Sequence, residues 1–225
     1  MITTVFIDID NTLLDFDLSA RQAMSAALKE YGVSYRDEMF PTFKKINDDL
    51  WRRIEDGSLT KDGLRKIRWL TVFAALGIGG IDAEEFEDKF HDLLAVSAAP
   101  VDGAVELLEY LCKKYTLCAA SNGPFKQQRF RLKKAGMLKY FKHVFVSEKA
   151  GAMKPTKEFF DYCTSRLAVL SPDEIVLIGD SLTADINGGK NYNMKTIWFD
   201  FARLNIADGE WDYAVKELSE IKNIL

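Results

Sequence analysis

Residues 3–12 read TTVFIDIDNT, and the fold follows from how this run begins and ends. Apolar and β-branched residues lead without a break into carboxylates at alternate positions, Asp8 and Asp10. A strand buried on both faces reads as a continuous apolar run, so residues 3–9 are predicted to be a central strand that delivers polar groups at its carboxyl end. Comparable runs occupy residues 116–120, 143–146, 174–178 and 195–199, each bordered by a helical pattern. Five strands alternating with helices predict an α/β fold, a Rossmann-like, doubly wound parallel sheet with helices on both faces.

Between Asp15 and Pro100 the strand signal gives way to helical periodicity. Helices are predicted over 19–31, 43–56, 60–76 and 82–96, the first three stopping at Gly32, Gly57 and Gly77. The fourth opens at Asp82, with Glu85 three residues on in the manner of a capping box. The expected organisation is a catalytic core of residues 1–15 and 98–225, interrupted by a helical insertion of residues 16–97. Ala98, Ala99 and Pro100 would form the return hinge.

Composition narrows the function. The 225 residues are 48% hydrophobic and 28% charged, which suits a well-buried globular protein. Thirty basic and 34 acidic residues are interspersed to a net charge of −4, so there is no broad positive field for a nucleic acid polymer. No apolar run reaches the roughly 20 residues that span a bilayer. The first residues lack the basic start and cleavage pattern of a signal peptide, and the three cysteines, Cys112, Cys118 and Cys163, suggest neither a disulfide framework nor a zinc site. A reducing cytoplasm is the expected location.

The polar residues fall at the carboxyl ends of the strands. Asp8 and Asp10 close the first, Ser121, Asn122 and Gly123 follow the second, Lys154 lies beyond the third, and Gly179, Asp180 and Ser181 close the fourth. Ligands of open parallel sheets bind at that edge, where the strand order reverses. Asp8, Asp10, Asp180 and Asp185 offer oxygen donors without a neighbouring histidine or cysteine, which suits a hard cation such as Mg2+ rather than zinc. Lys154, the Ser121 hydroxyl and backbone N–H groups around Asn122 and Gly123 are the donors a phosphate needs.

With these four motifs in order over nearly the whole chain, the sequence resembles the haloacid dehalogenase superfamily of phosphohydrolases. Asp8-Ile9-Asp10-Asn11-Thr12 matches the superfamily's first motif, Ser121 its second, Lys154 its third, and Gly179-Asp180-Ser181 with Asp185 its fourth. The resemblance implies that Asp8 is the nucleophile and Asp10 the general acid and base. It implies that Ser121, Asn122 and Lys154, together with Asp10, bind the phosphate. Magnesium would be held by Asp8, the backbone carbonyl of Asp10, and Asp180, with Asp185 acting through a water or by orienting Lys154. Dehalogenase members carry no acid at the position of Asp10, because a departing halide needs no proton; phosphate transfer is therefore the expected chemistry. A phosphomutase would keep the same residues.

The insertion corresponds to the superfamily's helical cap, which closes over the crevice, excludes water and supplies specificity. Within the superfamily the chain is most similar to the bacterial pyrimidine 5′-nucleotidases that act on noncanonical nucleotides. That similarity includes Asn47-Asp48-Asp49-Leu50-Trp51, Asp56-Gly57-Ser58-Leu59-Thr60 and the Gly188-Gly189 pair. It implies small phosphate esters such as UMP, dUMP and dTMP as substrates, with Trp51 a candidate base contact. Alternatives are a phosphatase for a sugar or sugar-acid phosphate, of the phosphoglycolate or acylneuraminate type, and a noncatalytic sensor of a phosphorylated ligand.

Other features read blandly. Asp15 and Asp17 belong to a linker and helix start, and His91 and His143 to surface or boundary positions. Lys126, Arg129, Arg131, Lys133 and Lys134 are expected to form a solvated helix face, Trp51 and Trp69 have spacing suited to core packing, and Gly188–Gly189–Lys190 is expected to end a helix.

Overall fold

The computed structural model describes residues 1–168 and 171–225. It divides into two compact units, one of Met1–Phe16 with Ala98–Leu225 and one of Asp17–Ser97. The first unit holds six parallel strands: β1 (Thr4–Ile7), β2 (Thr116–Ser121), β3 (His143–Val146), β4 (Ile175–Gly179), β5 (Lys195–Phe199) and β6 (Tyr213–Val215). Their order across the sheet is β3-β2-β1-β4-β5-β6. The helices in chain order are α1 (Phe16–Glu30), α2 (Met39–Glu55), α3 (Lys61–Leu76), α4 (Ala83–Ala95), α5 (Ala104–Leu111), α6 (Phe125–Lys134), α7 (Ser147–Ala150), α8 (Lys157–Thr164) and α9 (Gly188–Asn191).

The sheet is parallel throughout, so both of its faces are buried. Val5, Ile7, Leu117, Ala119, Val176, Ile178 and Ile197 pack with Leu107, Leu108 and Leu111 of α5 on one side. Phe6, Cys118, Ala120, Ile175 and Leu177 pack with Phe159, Phe160 and Cys163 of α8 on the other. Successive strand residues therefore alternate between two apolar layers, as the pleat requires. All three cysteines are free thiols. No helix among the described residues is long and apolar enough to cross a membrane.

The sixth strand was not legible in the sequence. It is only three residues long, two of them exposed at the sheet edge, so it carries no apolar run. Gly188 and Gly189 depart from the expected helix end: they lie inside a helical run that starts as a π-helical turn at Leu182–Asn187 and continues through α9. Packing is the reason. A Cβ on Gly189 would come within 2.7 Å of Thr196 Cγ2, and one on Gly188 within 3.1 Å of Pro155.

In the second unit Gly32, Gly57 and Gly77 all adopt positive φ, the left-handed conformation that ends a helix without a Cβ clash. The Asp82 carboxylate caps α4 by accepting from the N–H groups of Glu84 and Glu85. The helix α2 starts four residues before the expected 43, with Pro41 in its first turn, where the missing N–H has no intrahelical partner to lose. Trp69 is fully buried among Phe43, Phe73, Phe86 and Phe90, with ring centroids 4.5–5.4 Å apart.

Beside this aromatic core lies a buried ion pair. Arg68 Nε and Nη2 donate to Glu87 at 3.0 and 2.5 Å, and its Nη1 donates to Asn47 Oδ1 at 3.0 Å. Burial pushes the Glu87 carboxyl above its ordinary range, and Arg68 pulls it back only in part. Removing one partner of such a pair strands the other charge, so Glu87→Ala is expected to cost about 3–5 kcal/mol, whereas Arg68→Met with Glu87→Leu is expected to cost only about 1–3 kcal/mol, for the Asn47 oxygen that loses its donor. Urea denaturation of the full chain, followed by near-ultraviolet circular dichroism of the aromatic cluster, measures both.

Candidate active site

Strand register brings the motifs together. Ile7 lies opposite Ala119 of β2 and Ile178 of β4, and the Asp8 N–H extends the ladder by donating to the Ile178 carbonyl at 2.9 Å. Asp8 therefore sits one step past the paired region, between the strand ends that carry Ser121 and Gly179. From β1 the order runs outward through β2 and β3 on one side and through β4, β5 and β6 on the other. This is the point of reversal where open α/β sheets bind ligands.

Lys154 ties the site. Its buried ammonium donates to Asp8 Oδ1 and to Asp185 Oδ1, both at 2.6 Å. Its backbone is held by the Asn122 carboxamide, which accepts from Lys154 N–H at 2.9 Å and donates to the Lys154 carbonyl at 3.0 Å. The Asn122 side chain thus serves Lys154. Asp185 also accepts from Ser181 N–H at 3.2 Å, and Gly179 is a glycine because the Asp185 carboxylate occupies the place a Cβ would take. Trp198, packed at a tilt against Trp211, donates its indole N–H to the Asp180 carbonyl at 3.0 Å.

The other half of the site is built by α6. Ser121 Oγ accepts from Gly123 N–H at 3.0 Å and from Gln128 Nε2 at 2.9 Å. A hydroxyl has two lone pairs and one proton, so with both lone pairs engaged Ser121 is left to donate. Gln128 Nε2 also donates to Asp10 Oδ2 at 2.6 Å, and Arg131 Nη1 donates to Asp10 Oδ1 at 2.5 Å. Asn11, at positive φ, accepts from Phe16 N–H through its carboxamide and ties the first motif to the start of α1.

A family model for haloacid dehalogenase-like hydrolases matches residues 2–193. The chain belongs to this family. It is 36% identical over 197 residues to the pyrimidine 5′-nucleotidase PynA of Streptococcus pneumoniae, covering 85% of this chain and 81% of that protein. It is 26% identical over 222 residues to the pyrimidine 5′-nucleotidase YjjG of Escherichia coli, covering 98% and 96%. YfnB of Bacillus subtilis, named as a HAD-hydrolase, is 32% identical over 223 residues, covering 99% and 94%. The crystal structure of YfnB bound to magnesium superimposes with a TM-score of 0.92 over 100% of this chain and 98% of that one. The protein is a phosphatase of the haloacid dehalogenase-like family.

Of the residues named from sequence, Asp8, Asp180, Asp185 and Lys154 form one cluster, and Asp10 and Ser121 are joined through Gln128. Two partners were missed. Arg131, read from sequence as part of a solvated face, is 1% exposed, whereas Lys126, Arg129, Lys133 and Lys134 around it are exposed. Gln128 is equally buried. The available signal was spacing: residues 128, 131 and 132 lie on one helical face that Leu132 anchors in the core. Trp51 belongs to the helical unit and is half-buried on α2, unlike Trp69.

The donor set fits a divalent cation. Carboxylate oxygens of Asp8, Asp180 and Asp185 lie within 4.8 Å of one another, and three carboxylates against the one Lys154 ammonium leave two formal negative charges. Burial, with repulsion from Asp185 and Asp10, pushes the Asp8 carboxyl up to about 7 despite Lys154. Burial and repulsion from Asp8 and Asp185 push Asp180 up as well. Lys154 lies between two carboxylates and gains from both, so its value rises while that of Asp8 rises too.

A carboxyl raised on folding binds its proton more tightly in the folded chain, so the stability it contributes is complete below the unfolded value of about 4 and is lost as pH rises through the folded value. In the presence of chelator, Tm is therefore expected to fall between pH 5 and pH 8 as Asp8 loses its proton. Magnesium should raise Tm more at pH 8 than at pH 5, because the cation competes with that proton. Thermal melts at the two pH values, with and without magnesium, check the sign.

Proposed function

We propose that this phosphatase is a magnesium-dependent pyrimidine 5′-nucleotidase acting through a phosphorylated Asp8. The observation that carries the reading is the Asp8–Lys154–Asp185 bridge at the sheet's carboxyl edge, with Asp180 on one side and Ser121 and Asp10 on the other. The two pyrimidine 5′-nucleotidases among its relatives support the substrate.

Lys154 and the Ser121 hydroxyl bind the phosphate oxygens. Asp8 attacks phosphorus in line with the ester oxygen, the P–O bond to the nucleoside breaks, and Asp10 gives a proton to the departing alkoxide. Asp10 then takes a proton from water as that water attacks the phosphoryl group, returning the Asp8 carboxylate and releasing phosphate. Asp8, the backbone carbonyl of Asp10 and Asp180 would hold magnesium, which when bound neutralises phosphate oxygens and carboxylates together. Asp185 has both oxygens engaged by Lys154 and Ser181, which supports its acting through Lys154. The three free thiols are compatible with action in a reducing cytoplasm.

Phosphate release from a panel of nucleotides and sugar phosphates tests the substrate. UMP, dUMP and dTMP are expected to have the highest kcat/KM, and chelation is expected to abolish turnover. Equal or better turnover of phosphoglycolate or an acylneuraminate phosphate would replace the nucleotidase reading by the sugar-acid one. Asp8→Asn is expected to lose turnover without loss of Tm, because it removes both the nucleophile and a buried negative charge. Asp10→Asn is expected to slow the phosphorylation step about 10²–10⁴-fold with a nucleotide and much less with p-nitrophenyl phosphate, whose leaving group needs no proton. Rapid-quench kinetics separates the two steps. Trp51 is the proposed discriminator of the base: Trp51→Ala should lower kcat/KM for dUMP roughly 5–150-fold, the equivalent of a stacking contact, and leave acetyl phosphate hydrolysis near wild type.

A further inference from the structure

We infer that Gln128 and Arg131 are positioning residues that fix the Asp10 carboxylate and the Ser121 hydroxyl for the proposed reaction, on whose hydrolase reading this assignment rests. The three side chains of Asp10, Gln128 and Arg131 form a closed ring. Arg131 Nη1 donates to Asp10 Oδ1 at 2.5 Å and to Gln128 Oε1 at 3.1 Å, and Gln128 Nε2 donates to Asp10 Oδ2 at 2.6 Å. The second hydrogen of Gln128 Nε2 goes to Ser121 Oγ at 2.9 Å. Both Asp10 oxygens are therefore engaged, and the same amide turns the Ser121 proton outward.

The ring's members differ in exposure. Arg131 and Gln128 are each 1% exposed, whereas the Asp10 side chain keeps 31% of its surface open. What two buried donors do for a half-open carboxylate is restrict its rotamers, and a reacting group displaced by about 1 Å can cost about 10²-fold in rate. Gly123 is shaped to the same end: a Cβ there would strike the amide, Cδ and Cγ of Gln128. The glycine after Asn122 thus leaves the space through which Gln128 reaches Ser121 and Asp10.

The test is a double-mutant cycle on dUMP with magnesium, each variant accompanied by a thermal melt. Arg131→Met is expected to lower kcat roughly 10–100-fold, within the range for a misplaced reacting group, with KM and the magnesium concentration for half-activation near wild type. Arg131→Lys should recover part of the loss. In an Asp10→Asn background Arg131→Met should cost almost nothing further, because its effect passes through Asp10. Gln128→Ala should lower kcat and also raise KM, since it releases Ser121 as well. Gly123→Ala should reproduce the Gln128→Ala loss, and the two together should lose no more than Gln128→Ala alone. Wild-type kcat in a folded Arg131→Met protein, or full multiplicative losses with Asp10→Asn, would overturn the assignment. If Arg131→Met does not fold, the Gln128→Ala cycle with Asp10→Asn decides: a loss smaller than in the wild-type background, with the remainder passing through Ser121, supports the assignment, and a full multiplicative loss overturns it. Wild-type protein inactive on every phosphate ester would reject the hydrolase reading and the assignment together, whereas an active wild type with additive variants rejects the assignment alone.

Discussion

The carboxylates gathered at the carboxyl edge of this sheet depend on one buried ammonium. Lys154 bridges Asp8 and Asp185 with two bonds of 2.6 Å, in a cluster that includes Asp180. Three carboxylates within 4.8 Å repel one another strongly in a low-dielectric interior, and a cation is the means of keeping them together. The surrounding structure fixes Lys154 and its partner. Asn122 spends both ends of its carboxamide on the Lys154 backbone, and Gly179 makes room for the Asp185 partner. Motifs far apart in sequence are thus parts of one electrostatic arrangement.

The sheet order explains why those motifs are separated as they are. A nucleophile at the end of β1 has neighbours only from β2 and β4, the strands on either side of it. Ser121 must close β2, Asp180 must follow β4, and the lysine must arrive from the loop beyond β3. The parallel arrangement requires a long crossover between successive strands, helical as far as β5, and these crossovers space the motifs along the chain. Burial on both faces then makes each strand an apolar run that breaks at its functional end.

That break is why this part of the site could be read from sequence alone: Asp8 and Asp180 are carboxylates where an apolar strand stops, and Asp185 follows Asp180 at the spacing of the fourth motif. The α6 contribution was hidden by the opposite circumstance. Arg131 stands among Lys126, Arg129, Lys133 and Lys134, and a basic helix gives no compositional sign of which cation turns inward. Its tertiary partner, the carboxylate of Asp10 on another element, offsets the cost of burying it. The edge strand β6 escaped for a related reason, since a three-residue strand draws its definition from pairing with β5 and little from its own composition. The glycines at 188 and 189 looked like punctuation because their requirement is set by Pro155, Phe160 and Thr196 across the fold.

The helical unit separates likeness in packing from likeness in recognition. The stretch 47–51 carried the resemblance to the nucleotidases, yet Asn47 is buried and accepts from Arg68, which is itself paired with Glu87. An asparagine held in that way reports on how α2 and α3 pack, and relatives with the same packing would keep it whatever their substrate. Asp48 pairs with Lys44 and Asp49 with Arg52 along the exposed side of α2, pairs of the kind that stabilise a helix modestly. Leu50 is core. Trp51 is the member of the stretch whose large, half-open aromatic surface is explained neither by the buried network nor by the helix's own ion pairs.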